Sequence, residues 1–195
     1  MSSIKLTADS GGGTFEIKAP ASSGNTRVLT LPDTGNITLP TTNGITMADQ
    51  WRISSNFNSQ NEVISFNWER VDNIFTQIGT GMSYNSGIFS FPQTGIYLVE
   101  FHAGMFKASA AVRYMGVNLQ VTEDNSNYTT RAEGYGNVSN NSTSYAQAQV
   151  KYVLDVSDIS NIKVRFKSDS ETTVGYAGDT GENRTVATFI RLGDT

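Results

Sequence analysis

Few side chains in this 195-residue chain have the chemistry that catalysis needs. The single histidine, His102, could serve a hydrolase triad or a zinc site. A lone histidine on a strand is more typical of a surface or interface residue. Carboxylate pairs such as Asp155/Asp158 could serve glycoside hydrolysis, but their spacing is typical of turns, where Asp accepts backbone hydrogen bonds. The sequence therefore predicts no catalytic residue and no enzyme.

Metal and cofactor sites have equally little support in the sequence. The chain contains no cysteine, which excludes thiolate ligands and disulfide bonds. Asp179 and Glu182 are candidates for a structural calcium ion, because hard cations bind carboxylate oxygens, yet no defined calcium-loop motif surrounds them. The Gly79-Thr80-Gly81 segment matches no phosphate-binding pattern. We predict no cofactor, and any bound metal would be structural.

The segment from Thr122 to Tyr145 has the composition of an adaptable recognition surface. It is rich in tyrosine, which gives rigid amphipathic contact, and in serine, asparagine and glycine, which suit hydrogen bonding in loops. We interpret it as loops, and the candidate binding residues are Tyr128, Tyr135, Asn137 and Tyr145. The three tyrosine rings could stack on sugars. The alternative is that these are ordinary loop and edge-strand residues.

The clearest structural elements are two strands joined by a turn. Phe89 and Phe91 share one face of the first strand, which Pro92 ends because it lacks a backbone N–H. Gly95 supplies the conformational freedom of the turn. Apolar and polar residues then alternate through Ala103, the period of a strand with one buried face. This pattern indicates an antiparallel β-sandwich.

The rest of the C-terminal part also shows the alternation of strands. Together with the two strands of that pair, the predicted strands are Asn61 to Asn67, Gly87 to Phe91, Gly95 to Ala103, Val112 to Val121, Tyr145 to Val156, Asn161 to Lys167 and Val186 to Leu192. A slip in the alternation at Met115-Gly116 predicts a β-bulge. The segment from Glu69 to Thr76 has near-helical spacing and could form one helical turn. The family resemblance given below favours strand and turn for that segment.

Composition limits the partners of the chain. The formal net charge is −4 and no segment clusters Lys and Arg, so we do not expect nucleic acid as a partner. No run of about eighteen apolar residues is present, so we expect no membrane insertion. The N-terminal residues lack the apolar core of a signal peptide, so we expect no secretion by that route.

Two domains are predicted, an N-terminal stem over residues 1–44 and a head over residues 45–195. The stem reads as four short strands separated by polar turns. Its apolar residues are Ile4, Leu6, Phe15, Ile17, Leu29, Leu31, Ile37 and Leu39. So few residues cannot bury a core alone, which favours contacts between copies of the stem. The alternative is a disordered tail, against which the regular alternation argues.

One motif in the head resembles a known superfamily. The pattern Phe89-x-Phe91-Pro92-x-x-Gly95-x-Tyr97-x-x-x-Phe101, with the closing Thr188-Phe189-Ile190, resembles the globular domain of the complement C1q and tumour necrosis factor superfamily. The resemblance covers Trp51 to Leu192. It implies an antiparallel jelly-roll sandwich and a homotrimer about a threefold axis.

Further segments resemble a narrower group of proteins. Asn67-Trp68-Glu69-Arg70, the segment from Ile78 to Met82, the segment from Gly178 to Thr185 and the ending from Ile190 to Thr195 resemble terminal domains of fibre-type structural proteins of marine tailed phages, cyanophages especially. This resemblance implies a virion protein, a tail fibre or related appendage that binds host surface polysaccharide. Its stem would attach to other virion proteins. A purely structural neck, whisker or capsid-decorating fibre is the alternative.

Overall fold

The computed structural model describes residues 3–7, 14–18, 24 and 44–195. Every regular element in these ranges is a strand, and they contain no helix that is long and apolar enough to span a membrane. The strands are β1 (Ser3–Thr7), β2 (Thr14–Lys18), β3 (Ala48–Ile53), β4 (Ser55–Ser59), β5 (Trp68–Arg70), β6 (Gln77–Ile78), β7 (Ser83–Asn85), β8 (Ile88–Ser90), β9 (Gly95–Lys107), β10 (Val112–Thr122), β11 (Tyr128–Val138), β12 (Ser144–Val156), β13 (Lys163–Ser170), β14 (Val174–Asp179) and β15 (Thr185–Gly193).

The chain divides into two compact units, Met1–Thr41 and Thr42–Thr195. This division lies close to the boundary predicted after residue 44, which stays a prediction. In the first unit, β1 and β2 pair antiparallel, and the register sets Ile4 opposite Ile17 and Leu6 opposite Phe15. Four residues predicted for the stem thus occupy paired positions. The other four, Leu29, Leu31, Ile37 and Leu39, lie outside the described residues, and trimer contacts of the stem stay a prediction.

The second unit is a sandwich of two antiparallel sheets. The larger, eight-stranded sheet runs in the order β4-β14-β9-β15-β3-β5, with β12 also paired to β9 and β6 to β3. The smaller, five-stranded sheet has the order β11-β10-β13-β8-β7. Most neighbours within a sheet are distant in sequence, as in a jelly roll. The all-β antiparallel sandwich predicted from the sequence is confirmed.

The core lies between the two sheets and is largely aromatic. On β9, Tyr97, Val99 and Phe101 are fully buried, while the residues between them are half-buried on the outward face. Phe101 stacks on Phe166 of the smaller sheet, with ring centroids 4.3 Å apart. Packing of this kind joins the sheets, and truncating one such Phe to Ala typically costs about 3–5 kcal/mol. Apolar and polar residues therefore alternate along β9 because one face of the strand is buried in the core.

The turn that the sequence made clearest joins the two sheets. β8 belongs to the smaller sheet and β9 to the larger, so the chain crosses the sandwich between Phe91 and Tyr97. The rings of these residues lie 4.6 Å apart, and the Tyr97 hydroxyl donates a 2.9 Å hydrogen bond to the Gln93 carbonyl. Gly95 has φ +146°, a value that other residues rarely adopt, as predicted.

Several sequence predictions of strands are confirmed, and one is wrong. The predicted segments within 87–121, 145–167 and 186–192 correspond to β8, β9, β10, β12, β13 and β15. The strand predicted at Asn61 to Asn67 is absent, and only an isolated bridge joins Val63 to Lys167. Asn61 and Asn67 both have positive φ, which breaks the extended chain at each end. The helical turn considered for residues 69–76 is also absent there.

Two further differences concern β10 and β11. The register of β10 breaks between Val112 and Met115, so the irregularity precedes the bulge predicted at Met115-Gly116. Met115 and Val117 are both fully buried and continue one alternation, which places the slip before them. Residues 128–138 form β11, although they were interpreted as loops. Neither face of β11 is fully buried, so its sequence carries no strong apolar alternation.

Candidate functional site

A row of apolar side chains crosses the outward face of the larger sheet, the face that points away from the core. The strand registers place Ile78 beside Ala48, Ala48 beside Ile190, Ile190 beside Leu98 and Leu98 beside Val153. We call these five residues the apolar ladder. Ile78 is 42% exposed and Val153 is 57% exposed. The ladder therefore exposes apolar surface mainly at its two ends, whereas Ala48 within it is buried.

An apolar groove continues the ladder at its β6 side. Its volume is about 290 Å³, and its lining includes Ile45 and Phe75 together with Ala48, Ile78 and Ile190 of the ladder. Burial of such surface is favourable in proportion to the area removed from water. Because they share Ala48, Ile78 and Ile190, ladder and groove form one continuous apolar region.

The next row on this face is polar and already internally paired. Gln50, Thr188, Glu100 and Lys151 lie side by side in the registers of β3, β15, β9 and β12. The Gln50 amide donates a 3.0 Å hydrogen bond to the Thr188 hydroxyl, and Lys151 Nζ lies 3.0 Å from Glu100 Oε1. This row borders the apolar ladder and separates it from the far end of the face.

A pocket of about 550 Å³ occupies that far end. His102 and Gly104 of β9 and Tyr145 and Gln147 of β12 line one part of it, because the register sets Gly104 opposite Gln147. The turn between β14 and β15 lines the other part. We call this cavity the Tyr145 pocket. It brings together three chain segments that are distant in sequence.

The turn between β14 and β15 presents a fixed guanidinium group to the pocket. Arg184 Nε donates to Glu182 Oε2 over 3.0 Å, and Arg184 Nη2 lies 3.3 Å from Asp179 Oδ2. The hydrogen bond and charge of Glu182, with the charge of Asp179, raise the pKa of Arg184 above its ordinary value. The Gly181 N–H donates to Asp179 Oδ1 and closes the turn. The side chain of Arg184 is thus held in place before any ligand binds.

A second arginine supports the same turn from beneath. Arg52 lies on the outward face of β3, where neighbouring residues cover it almost fully. It donates hydrogen bonds to Glu69, Asp72 and Asn73. Burial acts against its charge, but the hydrogen bonds and charges of Glu69 and Asp72 outweigh that effect and raise its pKa. The Asn73 amide in turn donates to the carbonyl of Gly181 over 3.0 Å. A chain of hydrogen bonds therefore runs from β3 to the pocket.

The outward face of the smaller sheet holds two of the predicted binding tyrosines in polar clusters. The Arg165 guanidinium lies 3.9 Å from the ring centroid of Tyr128. The Tyr135 hydroxyl donates to Asp169 Oδ2 over 2.7 Å, and the Asn118 amide donates to the same oxygen over 3.1 Å. Burial and the hydrogen bond to Asp169 raise the pKa of Tyr135.

The structure separates the four predicted binding residues. Tyr145 lines the pocket, whereas Tyr128, Tyr135 and Asn137 lie on β11. Their placement on loops is wrong, because the chain from residue 128 to residue 138 pairs with β10 and continues the smaller sheet. A role of any of the four in binding is a prediction that these positions alone do not test.

The sequence reasoning missed most of the pocket. Arg184, Gln147 and Gly104 received no role, because only the registers of β9, β12 and β15 bring them near Tyr145. The sequence feature that could have indicated the pocket is the group of acidic and basic residues in the turn before β15. Asp179 and Glu182, the calcium candidates, both pair with Arg184. Within the described ranges no group of three or more His, Cys, Asp or Glu could hold a metal ion.

Comparisons with known proteins identify the fold. No protein-family model matches the sequence, and a search of curated proteins finds no significant match. The chain is similar to the solved structure of Eiger TNF from S. frugiperda, with a TM-score of 0.60 and 10% identity over 78% of this chain and 96% of that chain. It is also similar to murine APRIL at pH 5.0, with a TM-score of 0.55 and 15% identity over 75% of this chain and 98% of that chain.

The class of protein follows from this likeness and from the strand order. Residues 44–195 form an all-β jelly roll of the tumour necrosis factor type, in agreement with the jelly roll that the sequence resemblance implied. At such low identity the similarity shows the fold alone. Phage origin, trimeric assembly and the nature of the partner remain predictions.

Proposed function

We propose that this protein is a homotrimeric, non-enzymatic fibre protein of a virion, a tail fibre or related appendage whose jelly roll binds glycan on the host cell surface. The observation that supports assembly into a homotrimer is the apolar ladder. It crosses five strands about 4.8 Å apart, so it extends for about 20 Å, and its end residues Ile78 and Val153 are exposed. In a threefold assembly, the ladder of each copy would face those of two further copies, which would remove this apolar row from water.

Assembly of three copies fits this surface for two reasons. Within the polar row beside the ladder, Glu100 and Lys151 neutralise each other, so this row brings no net charge to a contact between copies. The resemblance to the C1q and tumour necrosis factor superfamily implies a threefold arrangement. A trimer also carries three copies of each binding site, so that weak contacts with a repetitive polymer add together.

A binding role fits the described side chains better than catalysis does. No serine, threonine or cysteine lines the Tyr145 pocket beside His102, so a nucleophile with a general base is lacking there. At the Tyr145 pocket, the carboxylates of Asp179 and Glu182 are both engaged with Arg184, so the pocket offers no free carboxylate pair as acid and base for glycoside cleavage. We therefore propose that a bound polysaccharide is held without being cleaved.

The virion location rests on the resemblance to phage fibre proteins. The motifs that carry it include Asn67 to Arg70 and Gly178 to Thr185, which contribute to the Arg52 network and to the pocket turn. We propose that the protein is made in the host cytoplasm and incorporated into the particle. The N-terminal segment would then attach the chain to other virion proteins.

Substitution of Leu98 by Asp tests the assembly. The wild-type chain, with a mass of 21.2 kDa, should sediment at three times that mass at micromolar concentration. Leu98→Asp places a charge in the middle of the apolar ladder and should give a folded monomer. The matched control is Asn85→Asp, which adds the same charge to an exposed position on β7 of the smaller sheet. A monomeric wild type, or equal dissociation of both variants, would refute the proposal.

A second candidate is a purely structural fibre whose head contacts other virion proteins. Tyr114 and Tyr135 favour it, because they form an exposed edge-to-face pair on the smaller sheet, and aromatic residues are common in protein interfaces. Competition for host-cell adsorption separates the two candidates. Purified trimer should block infection if the head binds the host, and should leave infection unchanged if the protein is only structural.

A further inference from the structure

The Tyr145 pocket has the size and form of a small-ligand site. Its volume of about 550 Å³ falls within the range of about 300–1,000 Å³ typical of such sites. Gly104 forms part of the floor, and its N–H donates a 3.0 Å hydrogen bond to the Arg184 carbonyl. A Cβ added at Gly104 would lie 2.9 Å from that oxygen, so any side chain here would push the pocket turn away. The space therefore depends on glycine at this position.

The charges of the pocket exclude an anion as the expected ligand. Arg184 is the only Lys or Arg among the lining residues, and it pairs with two carboxylates, those of Glu182 and Asp179. These three groups together carry a net negative charge. A neutral ligand with many hydrogen-bonding groups meets no such opposition. The guanidinium has five N–H donors, more than its two carboxylate contacts use, and can serve ligand oxygens as well.

The remaining lining residues suit a polyhydroxylated ring. Gln147 and Asn183 each offer an amide donor and an acceptor, the combination that adjacent hydroxyl groups require. Tyr145 is 76% exposed, and its ring packs on Phe106 with centroids 6.2 Å apart. An aromatic ring supported from behind and open in front can stack on the apolar face of a sugar. The ring thus supplies the apolar contact and the amides supply the polar ones.

We propose that the Tyr145 pocket binds one neutral pyranose unit of a polysaccharide, with Tyr145 stacked on the sugar and Arg184, Gln147 and Asn183 bonded to its hydroxyls. This inference rests on the proposed function for the identity of the polymer. Gly104 is six residues from Leu98 along β9, or about 20 Å. The pocket thus lies outside the apolar ladder, and assembly through the ladder is compatible with an open pocket.

Saturation-transfer NMR on the full chain tests the site. The probes are glucose, galactose, mannose, rhamnose and N-acetylglucosamine at millimolar concentration, with glucuronate and sialic acid as the anionic arm. At least one neutral sugar should receive saturation from the wild type. Tyr145→Ala should weaken its binding about tenfold or more, while Tyr145→Phe should retain most of it. The matched control, Tyr114→Ala, removes an exposed tyrosine of the smaller sheet and should change nothing.

Three results would overturn the inference: no binding of any neutral sugar, binding of the anionic sugars alone, or equal binding by wild type and Tyr145→Ala. The mass of each sample, measured in parallel, separates this inference from the proposed function. A monomer that binds sugar through Tyr145 would refute the assembly and keep the pocket. A trimer that adsorbs to host polysaccharide equally well with Tyr145→Ala would refute the pocket and keep the function.

Discussion

The outward faces of the two sheets differ in whether their side chains are paired with one another. On the smaller sheet, polar groups bond to one another: Arg165 donates to Gln120, Gln120 donates to Thr130, and Asp169 accepts from Asn118 and Tyr135. Asn118 and Gln120 are almost fully buried by their neighbours on the face itself. On the larger sheet, Ile78 and Val153 at the ends of the apolar ladder are exposed, and the pocket at the far end of the face is open.

This difference indicates which face needs a partner. Most polar groups of the smaller sheet's outward face bond to one another, although Asn118 Oδ1 and the Tyr128 hydroxyl are buried without a partner. For the paired groups, contact with another molecule would only exchange one set of hydrogen bonds for another. An uncovered apolar row gains free energy for each unit of area removed from water. Substitutions on the larger sheet should therefore change assembly, whereas substitutions on the smaller sheet should change only the stability of the chain.

The largest expected effect comes from Asp49, which anchors the strand that carries Ala48 of the ladder. Asp49 is fully buried and accepts hydrogen bonds from Trp51 Nε1, the Met82 N–H and the Arg70 guanidinium. Asp49→Ala leaves these donors unpaired and should cost about 3–5 kcal/mol of unfolding free energy. Self-association should weaken with it, because the β3 side of the ladder loses its support.

Urea unfolding and sedimentation of Asp49→Ala measure the two effects. Asp49→Asn is the control, since it keeps the size of the side chain and one acceptor oxygen, and should lose less stability. An Asp49→Ala variant that unfolds at the same urea concentration as the wild type would contradict the anchoring role. A destabilised variant with unchanged assembly would show that the ladder does not depend on β3.

The strands that could be predicted from the sequence are those with one face in the core and one face outward, because their apolar and polar residues alternate. β9 and β13 alternate because Phe101 and Phe166 must be buried and their neighbours need not be. β11 escaped prediction because its Gly134 and Gly136 give the inward face almost no apolar signal. A Cβ at Gly134 would approach the Gln149 carbonyl at 2.5 Å, so close contact with β12 demands glycine there.

The candidate site could be predicted only in part. Tyr145 was identified from the composition of its segment, which reports surface chemistry without reference to the fold. Arg184 and Gly104 could not be linked to it, because their proximity arises from pairing between β9 and β15, which no local pattern encodes. The apolar ladder could not be predicted from the sequence for the same reason. Its members come from five strands and become one row only through their registers.

A smaller effect is expected at Asp169, on the internally paired face. Asp169→Ala removes the acceptor of Tyr135 and of the almost fully buried Asn118. Loss of these bonds should cost about 1–3 kcal/mol. The pKa of Tyr135, now raised by burial and by Asp169, should fall toward the ordinary tyrosine value, which an ultraviolet titration of the variant measures. Sedimentation should show an unchanged mass.

The control for Asp169→Ala is Glu133→Gln. Glu133 contacts the same Tyr135 hydroxyl over 3.3 Å from an exposed position, and its neutralisation should change stability little. Dissociation of the Asp169→Ala assembly would break the comparison between the two faces. It would show that the smaller sheet also takes part in contacts between copies.

The smallest effect is expected at the turn between β10 and β11, where side chains of the turn form hydrogen bonds within it. Asp124 accepts hydrogen bonds from the Asn127 side chain, from the Asn127 and Ser126 N–H groups and from the Thr122 hydroxyl, and these bonds hold its pKa far below the ordinary value. A depressed pKa in the folded state means that ionised Asp124 adds stability above the unfolded pKa of about 3.9. That contribution is lost as the pH falls through the folded value.

Asp124→Asn should therefore lower Tm by a few degrees at neutral pH, and the gap to the wild type should shrink as the solution becomes strongly acidic. Thermal unfolding of both proteins across the acidic range checks the sign. Glu123→Gln is the control, since Glu123 makes only an exposed pair with Arg131 and should leave Tm almost unchanged. A gap that is constant at every pH would mean that Asp124 acts through shape alone, because an effect of its charge must follow its protonation.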